Sequence, residues 1–392
     1  MVDAGRIPLG LYVHLPWCER KCPYCDFNSH AGDVADVELP YVEAVLRDLG
    51  GEAAAVAGRR VETVYIGGGT PSLFAPAAIG RLLEGIAAIV DLAADAEISM
   101  EANPGSAEAR RFAGYRAAGV NRLSIGVQSL DDRCLGALGR IHSAAEARAA
   151  VRAARGAGFG RVNVDLMYGL PGQDPAGAVA DVEAALALEP EQISWYQLTL
   201  EPNTAFHHRP PSLPGEQGLA TMAAAGAGVL EAAGLVQYEV SAWAPPGGEC
   251  RHNLIYWGYG DYLGVGAGAH GKLTRTSPFV VERSARRRHP RDYMAAAAAA
   301  GFVSRRWRPD AGERVLEFMM NAMRLARGAS LRAFEARTGL PRAALEPGLG
   351  RAGALGLVRL QDGRILPTPR GRRYLNDLLL EFLPPGQSSN SV

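Results

Sequence analysis

Three of the chain's five cysteines fall within eight positions: Cys18, Cys22 and Cys25, in the stretch HLPWCERKCPYCDFNSH (residues 14–30). The spacing Cys-x3-Cys-x2-Cys, with Pro23 inside it, is too tight and turn-rich for a regular element. It describes a loop wrapped round something compact. Three thiolates can hold three irons of a [4Fe–4S] cube and leave the fourth iron open to a small ligand. A structural zinc site is the competing chemistry, and such sites normally take four nitrogen or sulfur ligands. Cys134 and Cys250 are remote in sequence, and His14 or His30 would complete a zinc site only with awkward geometry.

An open iron needs a ligand, and further residues suit one. GGGTP (67–71) allows a close backbone approach, because glycine tolerates unusual dihedrals and has no side chain in the way. Glu101, Gln128, Arg140 and Asp165 carry the groups that grip amine, carboxylate and ribose functions. Each alone is an ordinary loop residue. Beside the thiols they form a constellation.

These residues recur at one place in a repeated pattern. Short apolar runs stand at 9–16, 61–69, 97–105, 122–129, 162–170 and 193–200, with helical patterns between them. Ile79, Leu82, Leu83, Ile86 and Ile89 keep helical spacing, as do Val179, Val182 and Leu186. Ser143 to Glu146 spells a capping box, and Asp174-Pro175 an N-cap followed by proline at the first helical position. Six strand–helix units predict an α/β fold with a parallel sheet. The cysteines follow the first strand, GGGTP ends the second, and Glu101, Gln128 and Asp165 lie near the ends of the next three. Polar groups at successive strand ends converge at the C-terminal mouth of a barrel. Six units in place of eight predict a partial, open (β/α)6 barrel over residues 1–202. Residues 203–308 read as a bridging region with a few strands, including VQYEVSAW (236–243). Residues 309–385 carry helices around 314–326, 330–338 and 344–355, two short strands across Asp362-Gly363 and a final helix. That is a winged-helix-like α+β pattern, followed by a flexible tail at 386–392.

Composition narrows the function classes. Lys plus Arg equals Asp plus Glu at 41 each, so no whole-protein field draws nucleic acid or an acidic membrane. There is no run of about 18 apolar residues, and the first residues lack the pattern of a signal peptide. The expectation is a soluble, cytoplasmic protein. Arg351, Arg359, Arg364, Arg370, Arg372 and Arg373 in the winged region raise the question of nucleic acid, but no helix there stands out as basic, and none is expected as a partner.

YVHLPWCERKCPYC resembles the cluster motif of radical S-adenosylmethionine proteins, and GGGTPS and EANPG are similar to their cofactor-binding loops. The resemblance implies a [4Fe–4S] cluster on Cys18, Cys22 and Cys25. It also implies S-adenosylmethionine held by Tyr12, Gly68, Gly69, Thr70, Glu101, Gln128, Arg140 and Asp165. In that superfamily the cofactor's amine and carboxylate chelate the open iron, and the reduced cluster cleaves it to a radical; the chemistry belongs to the cofactor. Two sister families resemble nearly the whole chain: the oxygen-independent coproporphyrinogen III dehydrogenases and the HemW haem chaperones. The dehydrogenase motif continues to a fourth cysteine, where this chain has Phe27, and carries a longer segment before the motif than the 17 residues here. Both departures favour the chaperones. HNLIYW (252–257) contains HNxxYW, similar to the haem-linked motif of that family, and implies His252 as a haem contact; His270 ranks lower. Cys134 reads as a packed helix residue, and a ligand role for Cys250 lacks support. The resemblance implies haem as cargo, apo-haemoproteins such as respiratory cytochromes as recipients, a homodimer, and peripheral contact with the inner face of the cell membrane. The alternative is a radical enzyme that oxidatively decarboxylates coproporphyrinogen III.

Overall fold

A computed structural model describes residues 7–296 and 301–383. The expected tail at 386–392 and most of the alanine run at 295–300 lie outside the described residues. Six parallel strands form where the apolar runs predict them: β1 (Leu9–Leu15), β2 (Val61–Gly68), β3 (Leu92–Ala102), β4 (Arg122–Gln128), β5 (Val162–Tyr168) and β6 (Gln192–Gln197). Helices cross between them on the outside: α1 (Glu38–Glu52), α2 (Pro76–Ile89), α3 (Phe112–Ala118), α4 (Ala144–Gly156) and α5 (Pro175–Leu186). The crossovers bury the stripes that helical spacing marks. Ile79, Leu82, Leu83 and Ile86 of α2 are all buried, while Ile89 is half-buried at the helix end. The Ser143–Glu146 capping box closes the start of α4, and the Asp174 side chain accepts from the Gly177 amide at the start of α5.

The 203–308 segment adds six strands to the same sheet. After α6 (Glu216–Ala232), β7 (Val236–Glu239) and β8 (Ala242–Ala244) form a hairpin, with β8 antiparallel to β6. The predicted run at 236–243 is therefore two strands. The chain then turns through α7 (Arg251–Trp257) and returns as β9 (Asp261–Val265), parallel to β1 on the other flank. β10 (His270–Thr276), β11 (Phe279–Arg286) and β12 (Val303–Trp307) follow as an antiparallel meander. The spatial order is β12-β11-β10-β9-β1-β2-β3-β4-β5-β6-β8-β7, an open sheet of twelve strands and no closed barrel. A buried ionic knot fixes β9 beside β1: Asp261 takes Lys272 Nζ at 2.9 Å and Arg59 Nη1 at 2.7 Å. Lys272 is 1 % exposed, so removing Asp261 would strand a buried cation.

The C-terminal domain has its own core, built on Phe318, Met319, Phe334, Leu349, Ile365 and Phe382. α8 (Ala311–Ala322), closed by an Asp310–Glu313 capping box, ends four residues before the apolar run does. β13 (Ala329–Ser330), α9 (Leu331–Thr338), α10 (Glu346–Ala354), β14 (Val358–Gln361) and β15 (Arg364–Pro367) complete a winged-helix-like fold. Asp362 and Gly363 both take positive φ, 49° and 69°, as a two-residue hairpin turn requires. The expected final helix is two short pieces, Pro369–Arg373 and Leu375–Leu380. Tyr259, just past α7, plugs into this core and donates to Glu317 Oε2 at 2.6 Å, joining the domain to the sheet.

Candidate functional site: a polar lumen under a thiol loop

Alternation along β1 to β6 sends every second side chain to the concave face of the sheet. That face lines a lumen of about 460 Å³, open at the strand C-termini. Its wall carries Tyr65 from β2, Glu101 from β3, Ser124 and Gln128 from β4, Asn163 and Asp165 from β5, and Ser194 and Tyr196 from β6. Cys18, Cys22 and Cys25 stand at the mouth, with Gly69 and Thr70 beside them.

The thiol loop is tied to the GGGTP turn by main-chain bonds. Gly69 N donates to Leu15 O at 2.8 Å, and Thr70 N to Trp17 O at 2.7 Å. A Cβ on Gly69 would come 2.4 Å from Trp17 O, so only glycine allows this approach. Arg140 braces the loop from the other side: Nη1 donates to Cys22 Sγ at 3.4 Å, and Nη2 to Asn103 Oδ1 at 2.9 Å and Gly126 O at 2.8 Å. Burial pushes the Cys18 and Cys25 thiols up, so metal loading must release protons. Among the described residues no three His, Cys, Asp or Glu side chains are grouped to hold a single metal ion. Three free thiols spread round one loop, facing a common lumen, suit a bulkier inorganic cluster.

Below the mouth lies a pair of carboxyls. Glu101 accepts from Tyr65 OH and from Gly68 N, each at 3.0 Å. Burial raises its carboxyl to about 7, and the Asp165 charge adds to the rise while those two bonds oppose it. Burial likewise pushes Asp165 up, against bonds from Ser124 at 3.1 Å and Asn163 at 2.7 Å. Two enclosed carboxyls beside a thiol loop have the chemistry to receive a cationic ligand. Gln128 reaches the lumen because β4 bulges between Ile125 and Gln128 and turns it to φ 68°, a strained conformation for a side-chain-bearing residue. Tyr196 OH then donates to its Oε1 at 2.9 Å.

The structure thus brings Cys18, Cys22, Cys25, Gly69, Thr70, Glu101, Gln128, Arg140 and Asp165 onto one lumen. Tyr12 and Gly68 sit just behind it. Tyr12 OH pairs with His14 Nδ1 at 2.9 Å and its ring stacks on Tyr65, while Gly68 touches the site through its amide. Sequence reasoning missed Tyr65, Asn103 and Arg122, which line the same lumen; only Asn103, two residues on from Glu101, carries a local signal.

His252 is placed differently from its expectation. It lies beneath the lumen, 3 % exposed, at the N-terminal ends of the strands. Glu97 holds the start of α7 by accepting from the Arg251 and His252 amides at 3.0 and 3.1 Å. The imidazole packs between Tyr65 and Tyr256, with Nδ1 2.8 Å from Thr63 Oγ1. Burial lowers its pKa to about 3, so it stays neutral. Its Nε2 has no partner, which suits an iron ligand, but both ring faces are covered and it is not among the lumen-lining residues. Asn253 and Trp257 of the same helix do line the lumen. His270 is exposed on β10 against Trp307. Cys134 is buried in a short helix, and Cys250 is buried against Glu97 Oε1 at 3.3 Å, its thiol raised to about 11. We expect His252→Ala to cost about 2 kcal/mol in urea unfolding, as a core truncation. Through Tyr65 it should also weaken ligand binding at Glu101, leaving any Soret maximum unmoved.

Comparison with known proteins shows the family and the fold. The Radical SAM superfamily model matches residues 12–184, and the HemN C-terminal domain model residues 310–374. The protein named heme chaperone HemW in Escherichia coli K12 is 47 % identical over 378 residues, which span 96 % of this chain and 98 % of that one. This chain belongs to the HemW family. The HemW of Haemophilus influenzae is 42 % identical over 380 residues, again with 96 % of this chain and 98 % of that one covered. Among solved structures, coproporphyrinogen III oxidase (HemN) from Escherichia coli superposes with a TM-score of 0.81 over 96 % of this chain and 90 % of that one. At 23 % identity that likeness establishes a shared fold for this chain and HemN. It covers the open sheet and the C-terminal domain together.

Proposed function

We propose that this HemW-family chain binds haem and delivers it to apo-haemoproteins, respiratory cytochromes among them, acting in the cytoplasm and touching the inner face of the cell membrane as a peripheral protein. The observation that carries the reading is the end-to-end identity with proteins named heme chaperone. Phe27 supports it, standing 59 % exposed where the dehydrogenase motif has a fourth cysteine. Among the described residues no helix is long and apolar enough to cross a membrane. A homodimer belongs to the same proposal; nucleic acid does not.

The lumen residues fit the superfamily's cofactors. Cys18, Cys22 and Cys25 would hold a [4Fe–4S] cluster. Gly68, Gly69, Thr70, Glu101, Gln128, Arg140 and Asp165 would hold S-adenosylmethionine, with Tyr12 in support. When bound, the cluster supplies single electrons. The chain's own work is positioning. Arg140 steadies Cys22, Gly69 lets the GGGTP turn close on the thiol loop, and the Glu101 and Asp165 carboxyls receive positive charge.

The second reading, a coproporphyrinogen III oxidase, draws on the HemN-like fold and the intact thiol loop. An anaerobic assay with reductant, S-adenosylmethionine and coproporphyrinogen III separates the two. The chaperone account predicts no protoporphyrinogen from protein that binds haem saturably; turnover without saturable haem binding would reverse the choice.

A further inference from the structure

The lumen has a second end, and the cofactor candidates do not account for it. Asn253 and Trp257 of α7 wall it, with Glu239 and Ser241 at the β7–β8 turn and Arg324 opposite. Arg324 belongs to the C-terminal domain. Just after α8 the chain crosses the free edge of the sheet, where Leu325 bridges Glu239 and Ala326 N donates to Tyr238 O at 3.0 Å. The C-terminal domain therefore lies along the edge that β7 leaves open, and Arg324 is the side chain it sends inward.

Arg324 Nη2 donates to Glu239 Oε2 at 3.2 Å and to Ser241 Oγ at 3.4 Å, and the guanidinium lies 4.4 Å above the Trp257 ring. Arg324 Nε and Trp257 Nε1 are both buried without a hydrogen-bond partner. Buried donors left unmade are costly, so an acceptor belongs here. Water could satisfy one donor. A stacked guanidinium and indole that both line the lumen, each with a buried, unpartnered N–H, are better matched by the two oxygens of a carboxylate. Size points the same way. A lumen of about 460 Å³ is in the range for one small ligand, so with a cofactor at the thiol end this end takes an arm and not a macrocycle.

We propose that the far end of the lumen is a carboxylate subsite, in which Trp257 and Arg324 receive one propionate arm of a porphyrin. The C-terminal domain thereby supplies part of the binding site. Glu239 must share Arg324 with the arriving carboxylate; burial pushes the Glu239 carboxyl up, against the Arg324 charge. The proposal rests on the haem reading for the identity of its ligand.

The test is a binding titration of the anaerobically reconstituted full-length protein with haem, haem dimethyl ester and metal-free protoporphyrin IX. Wild type, Trp257→Phe and Arg324→Lys are compared. The esters lose the carboxylate, and protoporphyrin IX loses the iron. Wild type should bind both acids about ten-fold more tightly than the ester, the effect of a charge-assisted hydrogen bond. Trp257→Phe, which deletes the N–H and keeps a smaller aromatic face, should lose most of that preference, and Arg324→Lys likewise. If Arg324→Lys does not fold, Trp257→Phe alone decides. Equal binding of acid and ester by wild type, full preference in the variants, or no binding of either porphyrin overturns the subsite. Haem binding without acid preference would leave the chaperone reading standing and remove this one. Acid-dependent binding of protoporphyrin IX without haem binding would do the reverse.

Discussion

Alanine at any one of Cys18, Cys22 or Cys25 should abolish the proposed cluster. After anaerobic reconstitution with iron and sulfide, wild type should carry about four irons per chain and each variant fewer than one. The argument is positional. These three thiols alone among the five line the lumen mouth. Cys22 is already held by Arg140, and the loop is pinned to GGGTP by bonds from Gly69 and Thr70. Cys134→Ala and Cys250→Ala serve as controls, because both thiols are buried elsewhere and neither faces the mouth. Iron content near wild type in a Cys22→Ala variant would refute the assignment.

Glu101→Gln should produce two opposite effects. The Glu101 carboxyl rises from its ordinary 4.5 to about 7 because it is enclosed with Asp165 nearby. The folded chain thus holds this proton more tightly than the unfolded chain. The resulting stabilisation is complete below about pH 4.5 and is lost as pH rises through 7. A glutamine carries no such cost, so the variant should be more stable than wild type by about 2 kcal/mol at pH 8 and equal to it at pH 4. That figure is below the full shift because the carboxyl faces the lumen. In the proposed cofactor site the same exchange removes the receptor for a cationic amine, and S-adenosylmethionine binding should fall at least a hundred-fold. Wild-type affinity should also weaken, by up to about ten-fold per unit, as pH drops below 7. Urea unfolding at the two pH values and calorimetric titration measure both effects. A variant less stable than wild type at pH 8 would show that Glu101 is not strained by burial.

Much of the site was legible in the sequence because its signals are local. The thiol spacing, the glycine run and the apolar runs each lie within ten residues or so, and β1 to β6 fall where they indicate. Asp362-Gly363 makes its hairpin for the same reason. What escaped detection depends on distant pairing. β7 and β8 extend one flank and β9 to β12 the other, and nothing within 203–308 announces which edge each strand will join. Arg324 reads as an ordinary helix-end arginine until the chain is seen to cross the free sheet edge. His252 was the instructive case. Its motif gave no sign of the helix α7 that it forms, whose Asn253 and Trp257 line the lumen while Glu97 holds the helix start and the imidazole faces the buried side under Gly10. The gap left there by glycine is filled by the ring, with Cε1 3.2 Å from where a Cβ would lie. Composition and periodicity carry no information about that contact.

The central claim is that the chain holds haem and gives it up to an acceptor. The direct measurement is transfer: haem-loaded, cluster-reconstituted protein is mixed with an apo-haemoprotein, and the Soret band is followed on both after rapid separation. The account predicts a saturable band on the loaded protein, loss of that band on mixing, and its recovery on the acceptor as unmodified haem. A loaded protein that keeps its haem, or one that never shows saturable binding, would contradict it.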